Sequence, residues 1–396
     1  MHYTTTQSLA PVTTTHPSIL CIAMGWFPIQ AGGLNRYLYG LSRELVNQAT
    51  QVEICGLGLP EQDANIDPRY LTLTNLADPK LPILKRLRKV KSSLSKSHFK
   101  SKDAINLHFA LYSLPFLKDL PHDVPITCNF QGPWALEGQQ EGDNAIVVWL
   151  KKQLELRVYR RCDRFIVLSR AFGEVLHQEY HIPWEKIHII PGGVDTDEFK
   201  PTLSKSEARA KLGWDPDRKI LFTPRRLVHR MGIDRLLAAM VEVRKEIPDV
   251  WLGIAGKGPL AEQLEQQIQT QGLQDHAQLL GFVPDELLSV AYQAADITVV
   301  PSISWEGFGL ILVESLACGT PAISTPIGGM PEILQPLDPN LVTDSIEISA
   351  IADRLIQFLS GQLSLPSSNV CRNYAVDTYD WKHIAPQVQQ VLLAPK

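Results

Sequence analysis

The chain has 396 residues, enough for two or three domains, and its 44% hydrophobic, 20% charged and 8% aromatic content is that of a core-forming globular protein. That balance excludes a disordered chain, a collagen, a coiled coil and a small disulfide scaffold. A net charge of −4, from 38 basic and 42 acidic residues, argues against a general nucleic-acid binder, so no nucleic-acid partner is expected.

The first stretch, MHYTTTQSLAPVTTTHP (1–17), is rich in Thr and Pro, with no basic n-region and no apolar core. It reads as a disordered leader rather than a signal peptide. No run approaches the roughly 20 apolar residues that span a bilayer. A soluble cytoplasmic protein, at most peripheral at the inner face of a membrane, is expected. Six cysteines (Cys21, Cys55, Cys128, Cys162, Cys318 and Cys371) form no CxxC pair and fit a reducing compartment.

From Ser18, short apolar runs alternate with amphipathic stretches. Strands are expected at Ile19–Met24, Val52–Leu57, Ala104–Phe109, Val124–Phe130, Arg164–Leu168 and Lys186–Ile190. A helix burying Leu34, Leu38, Leu41 and Leu45 follows Gly32-Gly33. This alternation implies a parallel sheet covered on both faces. The turn-rich segment Pro191–Pro201 breaks the pattern. It then restarts with strands at Lys219–Pro224, Val250–Ala255, Ala277–Leu280, Ile297–Pro301 and Pro321–Ser324. Two α/β domains in tandem are expected, 18–195 and 196–375. A terminal helix from about 376 to 396 carries Trp381, Ile384, Val388 and Leu392 and needs a surface to cover.

The segment from Trp305 to Pro321 follows a buried strand and passes through Gly307-Phe308-Gly309 into a helix. Open α/β sheets bind ligands at this place, where glycines and a helix N-terminus admit an anion. Glu306 and Glu314 flank the helix start and suit the hydroxyls of a sugar or ribose.

Here the sequence resembles the retaining, GT-B-fold glycosyltransferases of family 4. Glu306 and Glu314 match that family's Glu-x7-Glu element. Ala31–Arg36 fits its first glycine loop, and Gly132–Glu137 its acceptor-side loop. Pro191–Asp195 with Phe199 fits its linker. Arg226-Leu227-Val228 with Gly232, Gly256–Pro259 and Gly281–Val283 fit its donor pocket. The match runs from about residue 18 through nearly the whole chain. The resemblance implies two Rossmann-like domains facing across a cleft, the first binding an acceptor and the second a nucleotide sugar. It implies that Glu314 holds the ribose and that Val283 meets the base through its backbone. Glu306 with Gly307, Phe308, Gly309 and Leu310 would contact the donor sugar and phosphate, and Arg226 would neutralise the leaving diphosphate. Gly33, Arg230 and Lys257 join the donor set; Gly132 and Trp134 lie on the acceptor side. Retention, and transfer without a metal or other cofactor, come with the family. Closure of the two domains over the donor is expected.

Two positions depart from the family pattern. Met231 stands where a diphosphate-binding lysine is usual, so that Arg230 or Arg225 would have to supply the charge. Gln131 stands where a histidine commonly contacts the donor sugar; glutamine can hydrogen-bond but carries no charge. His108 is the candidate substitute, against its reading as a satisfied core residue. Lys257 is either a phosphate ligand or a solvated turn lysine.

Between Lys85 and Lys102 lie eight basic residues and no acid, with Leu84, Leu87, Val90 and Leu94 at helical spacing. A basic amphipathic helix is expected, suited to an anionic membrane surface that would bring the site to a lipid-linked acceptor. The alternatives are a solvated helix and a polyanionic saccharide partner. Same-fold phosphorylases, epimerases and a non-catalytic sugar-nucleotide binder remain as other readings. A nicotinamide dehydrogenase does not fit, because Gly32-Gly33 is not GxGxxG.

Overall fold

The computed structural model describes residues 16–396, so the expected leader lies, through residue 15, outside the described residues. The first sheet contains β1 (Ser18–Ile22), β2 (Gln51–Leu57), β3 (Leu71–Ala77), β4 (Ala104–Leu107), β5 (Ile126–Phe130), β6 (Arg164–Val167) and β7 (Ile187–Ile189). All pair in parallel, in the order β3-β2-β1-β4-β5-β6-β7. Its helices are α1 (Gly33–Asn47), α2 (Ile83–Ser93), α3 (Lys96–Lys100), α4 (Ala110–Ser113), α5 (Trp134–Gln140), α6 (Ala145–Tyr159) and α7 (Arg170–Tyr180). The second sheet has β8 (Lys219–Pro224), β9 (Val250–Ala255), β10 (Ala277–Gly281), β11 (Ile297–Val300) and β12 (Ala322–Ser324), also parallel, in the order β10-β9-β8-β11-β12. Around it lie α8 (Lys205–Leu212), α9 (Ile233–Glu246), α10 (Ala261–Thr270), α11 (Asp285–Ala294), α12 (Leu310–Ala317), α13 (Met330–Leu334) and α14 (Ile348–Leu359).

Strand order reverses beside β1, which lies between β2 and β4, and beside β8, which lies between β9 and β11. Loops leaving the carboxyl ends of such neighbours diverge and open a crevice. Both crevices face the same interdomain space.

The chain closes with α15 (Ser368–Tyr379) and α16 (Trp381–Leu393), broken at Asp380 where one terminal helix was expected. Asp380 caps α16 by accepting from Lys382 N–H and also accepts from Thr196 Oγ1. The last helix packs on α1 of the first domain, with Trp381 edge-on to Tyr37 at 5.2 Å. Arg372 donates to the carbonyls of Thr196, Phe199 and Ala317, tying the connecting segment to the second domain. One apolar cluster therefore runs from α1 through Val194 and Trp381 into the second sheet, and another fills the far face of the first sheet.

Two expectations are corrected. Strand β3 escapes detection because LTLTNLA has no continuous apolar run; at the sheet edge only Leu71, Leu76 and Ala77 are buried. The single basic helix over 85–102 is two helices, since Leu94 is extended at φ −125° and ψ 140°. Ser95 accepts from His98 N–H and starts α3, an N-cap role that serine favours over a helix interior. The break lets Val90, Leu94 and Phe99 all reach the core, while Leu84, expected on the buried stripe, is 70% exposed.

Candidate functional site

On the second domain, Arg225 N–H donates to Ala255 O at 2.8 Å and Leu227 N–H to Lys257 O at 3.0 Å. The turn after β8 is thus stacked on Gly256-Lys257-Gly258. Gly256 has φ +146°, and a Cβ there would sit 1.9 Å from Arg225 O, so this position requires glycine. The Arg225 guanidinium is buried: Nη2 hydrogen-bonds Ser302 Oγ, pairs with Glu306 Oε2 and lies 2.6 Å from Met231 Sδ. Of the two candidate cations for the place of the usual lysine, Arg225 is the one whose charge stands against Met231. Arg230 points elsewhere, donating to Trp305 O at 3.0 Å and lying 3.6 Å from both Glu137 of α5 and Glu141 just after it. Arg226 is exposed, in the field of Arg230, Glu137 and Glu141. Lys257 is exposed too, with Nζ 5.5 Å above the Phe282 ring, and Val283 is half-buried beside it.

The loop after β11 carries Glu306. Its carboxylate is buried, which alone would raise its pKa; the charge and hydrogen bond of Arg225, the charge of Arg230 and the Ser302 hydroxyl outweigh burial and hold it below the usual range. The backbone is pinned on both sides. Glu306 O accepts from Gly329 N–H at 3.0 Å, and a Cβ on Gly328 (φ +58°) would lie 1.8 Å from that oxygen. Gly307 O accepts from Ser169 Oγ at 2.7 Å, across the cleft. Ahead of Glu306, Trp305 adopts φ +46°, a left-handed conformation that a tryptophan holds only where its surroundings impose it. Phe308 is buried against Tyr379. Gly309 and Leu310 start α12, and Leu310 reaches toward Gly33 at the start of α1.

Glu314 follows on α12, almost fully buried. Tyr292 OH donates to Oε2 at 2.8 Å, and Arg36 Nε of α1 lies 3.6 Å from Oε1. Burial raises its pKa more than Arg36 and Tyr292 lower it. Arg36 also pairs with Asp285 and, at 3.6 Å, with Glu198, and stacks on Phe27. It therefore ties the first domain to three acids, two of them on the second-domain helices α11 and α12.

The first domain brings Gln131 to within 3.3 Å, at its carbonyl, of where a Gly307 Cβ would be, and the Gln131 amide nitrogen is buried with no partner. Gly132 is covered by the Glu137 carboxylate. Trp134 begins α5, with Lys151 Nζ 4.8 Å above its ring and Phe109 at 5.7 Å. His108 is a correction: it is 3% exposed, Nε2 meets Asn106 Nδ2 at 2.9 Å, and burial lowers its pKa to about 3. It is a neutral core residue and not a replacement for a cleft histidine.

Residues not anticipated from the sequence matter as well. Glu155 of α6 accepts from Ala135 N–H and from the Tyr159 and Tyr180 hydroxyls, beneath the start of α5. Burial pushes its pKa up to about 7 against these hydrogen bonds. An acid between Leu154 and Leu156, one turn from Val158 and Tyr159 on the same helix, was its sequence trace. Away from the cleft, Glu53, Cys55 and His98 place ligand atoms within 4.8 Å of one another, but Lys102 Nζ already sits 2.8 Å from Glu53, supplying the positive charge there. All six cysteines are free and buried.

Two Rossmann-like domains, with the buried Glu306 and Glu314 and three arginines lining the second domain's side of the cleft, define a GT-B architecture. Family models match both halves, Glycosyltransferase Family 4 over residues 31–198 and Glycosyl transferases group 1 over 204–392. The chain belongs to the family-4 glycosyltransferases. It is 29% identical over 218 residues to a GDP-mannose-dependent alpha-(1-6)-phosphatidylinositol monomannoside mannosyltransferase of Mycolicibacterium smegmatis, covering 53% of this chain and 57% of that protein. It is 36% identical over 173 residues to a D-inositol 3-phosphate glycosyltransferase of Segniliparus rotundus, covering 43% and 38%. The matched stretches thus span about half of those relatives or less. Sucrose-phosphate synthase from Thermosynechococcus elongatus superposes with a TM-score of 0.80 at 22% identity, over 95% of this chain and 98% of that one. Anabaena HepE in complex with UDP-glucose does so with 0.74 at 18%, over 95% and 99%. At these identities the two structures share the fold with this chain.

Proposed function

We propose that this chain is a retaining glycosyltransferase that moves a sugar from a UDP- or GDP-linked donor to a saccharide or lipid-linked acceptor. The observation that carries the reading is the buried Arg225–Glu306 pair, set beside Arg226 and Arg230, with the buried, unpartnered amide nitrogen of Gln131 on the first domain, whose carbonyl approaches Gly307. Transfer breaks the bond from sugar C1 to the phosphate oxygen, whose electron pair leaves on the diphosphate. The acceptor oxygen bonds C1 on the same face, and its proton passes to the departing phosphate oxygen. The growing negative charge on the phosphate needs fixed positive charge nearby, and Arg225, Arg226 and Arg230 supply it without a metal. Glu306 and Gln131 take the sugar hydroxyls. Glu314 takes the ribose, Val283 the base, and the N–H groups of Gly307 to Leu310, with Gly33 opposite, approach the phosphates.

Glu137 and Glu141 now hold Arg230 from the acceptor side. A diphosphate entering there takes over Arg230 and repels both carboxylates, so donor binding and movement of α5 are coupled. GDP-mannose is named for one relative and UDP-glucose is bound in one structural neighbour, and the phosphatidylinositol monomannoside in that relative's name favours a glycolipid acceptor here. The exposed residues Lys85, Arg88, Lys89, Lys96 and Lys100 would face anionic lipid.

The test is transfer from UDP-glucose and GDP-mannose to a panel of sugar and glycolipid acceptors, with the product anomer read by NMR. Product with the donor's anomeric configuration is expected; Glu306→Gln should lower its formation by roughly 10²–10³, and Arg226→Ala should abolish it. Inverted product would sink retention. Near-normal turnover in either variant would sink the site assignment. Donor binding without turnover across the panel would make the chain a sugar-nucleotide binder.

A further inference from the structure

Helix α6 turns an apolar face to solvent. Ile146, Trp149 and Leu150 are 72%, 60% and 49% exposed, and their i, i+3, i+4 spacing puts them on one side of its first two turns. Its opposite side, with Glu155, Val158 and Tyr159, is buried. Farther along the outward side come Gln153, Arg157 and Arg160, all exposed, so the face is apolar at one end and polar to basic at the other. Exposed large apolar residues in a cluster mark a surface that something covers.

The place of that end is set by topology. In a parallel sheet each crossover helix starts at the carboxyl edge of the strands, here the edge that borders the cleft. The start of α2 therefore shares that edge with the start of α6, and it too exposes Ile83 and Leu84. Between them lies α4, on which α6 packs and whose Tyr112 ring carries Arg86 of α2 at 5.7 Å. Five exposed apolar side chains thus flank the acceptor side of the cleft.

Charge decides what covers them. Lys85, Arg88 and Lys89, on the helix that carries Ile83 and Leu84, have no ion-pair partner among the described residues. The acids nearby are engaged: Asp119 by Lys91, Asp143 by Lys151, Glu137 and Glu141 by Arg230. A surface that joins tryptophan and aliphatic side chains to unpaired cations complements an anionic bilayer, where rings sit at the headgroup level and cations meet phosphate. A second copy of this chain would set cation against cation.

We infer that Ile146, Trp149 and Leu150 of α6, with Ile83 and Leu84 of α2, insert into the interface of an anionic membrane and set the acceptor side of the cleft on it. This deepens the proposal for the basic segment by adding an apolar anchor on a separate helix, and it rests on that proposal for the charge.

The test is co-sedimentation of the full chain with phosphatidylcholine vesicles and with phosphatidylcholine–phosphatidylglycerol vesicles. Wild type, Trp149→Gln/Leu150→Gln and Lys85→Glu/Arg88→Glu/Lys89→Glu are compared. All the substituted side chains are exposed, and an unchanged melting curve checks the fold. Wild type should bind the anionic vesicles, with brominated lipid acyl chains quenching a part of its tryptophan fluorescence that is missing from the Trp149→Gln/Leu150→Gln variant. The α6 variant should lose at least about tenfold in partitioning, the factor expected when large apolar side chains no longer leave water. Binding unchanged in the α6 variant but lost in the charge variant would overturn the anchor and leave the electrostatic proposal standing. No vesicle binding by wild type would overturn both. Concentration-dependent dimerisation that the α6 variant abolishes, without vesicle binding, would make the face an interface between copies. None of these readouts uses the donor, so loss of the transfer reading is seen separately.

Discussion

The two sheets end in differently built rims. On the second domain the loops at the carboxyl edge are tied to each other through backbone: Arg225–Leu227 to Gly256–Gly258, and Glu306 to Gly328-Gly329, with glycines where a Cβ would meet a carbonyl oxygen at 1.9 or 1.8 Å. On the first domain the segments 83–93 and 134–150 are held by side chains, with Glu155 under α5 and Arg86 on Tyr112, and they leave apolar residues in solvent. On the proposed function, the difference follows ligand chemistry. A diphosphate and a ribose present the same groups each time and reward a fixed cradle, while an acceptor-side surface can vary. Backbone ties also leave a stronger trace in sequence, because they demand glycine.

Breaking the fixed rim should cost most. Gly256→Ala drives a Cβ into Arg225 O at φ +146°; a loss of about 4 kcal/mol in urea unfolding is expected, with loss of nucleotide binding. Glu306→Gln keeps the shape but removes the charge facing Arg225, and should lower transfer by roughly 10²–10³ in initial-rate assays. Glu306→Ala should in addition unfold more readily, by about 3–5 kcal/mol, because it leaves Arg225 buried and unpaired.

The first rim is tested through pH. With its pKa raised to about 7 in the fold, Glu155 stays protonated where the unfolded chain has lost the proton. Stability contributed at this site is therefore full below the ordinary carboxylate pKa and falls as pH rises toward about 7, by on the order of 3 kcal/mol. Urea unfolding at several pH values should show that slope, and Glu155→Gln should remove it. The smallest effect belongs to Lys257→Ala. The side chain is exposed, so stability should change by less than about 0.5 kcal/mol and nucleotide affinity by a few-fold at most.

What could be read in the sequence divides along the same line. The glycine turns, the Glu306–Glu314 spacing and eleven of the twelve strands have local signatures, apolar runs bounded by turn formers. β3 lacks one because only part of one edge is buried. The break at Leu94 comes from tertiary burial of Phe99, which helical periodicity cannot register. Arg225 and Arg230 were the two alternatives for the charge missing at Met231 and Glu137 closed the acceptor-side loop motif, but which guanidinium meets Glu306 depends on packing between β8 and β11. His108 fell the other way because an apolar strand end says nothing about which histidines reach a cleft.

The central claim is that the fixed rim is a nucleoside-diphosphate cradle. Thermal unfolding of wild type and Glu314→Ala with UDP, GDP and ADP tests it most directly. The account predicts that one diphosphate at 100 times its dissociation constant adds about 2.7 kcal/mol to wild type and much less to Glu314→Ala. No stabilisation by any of the three, or equal stabilisation of both proteins, would contradict it.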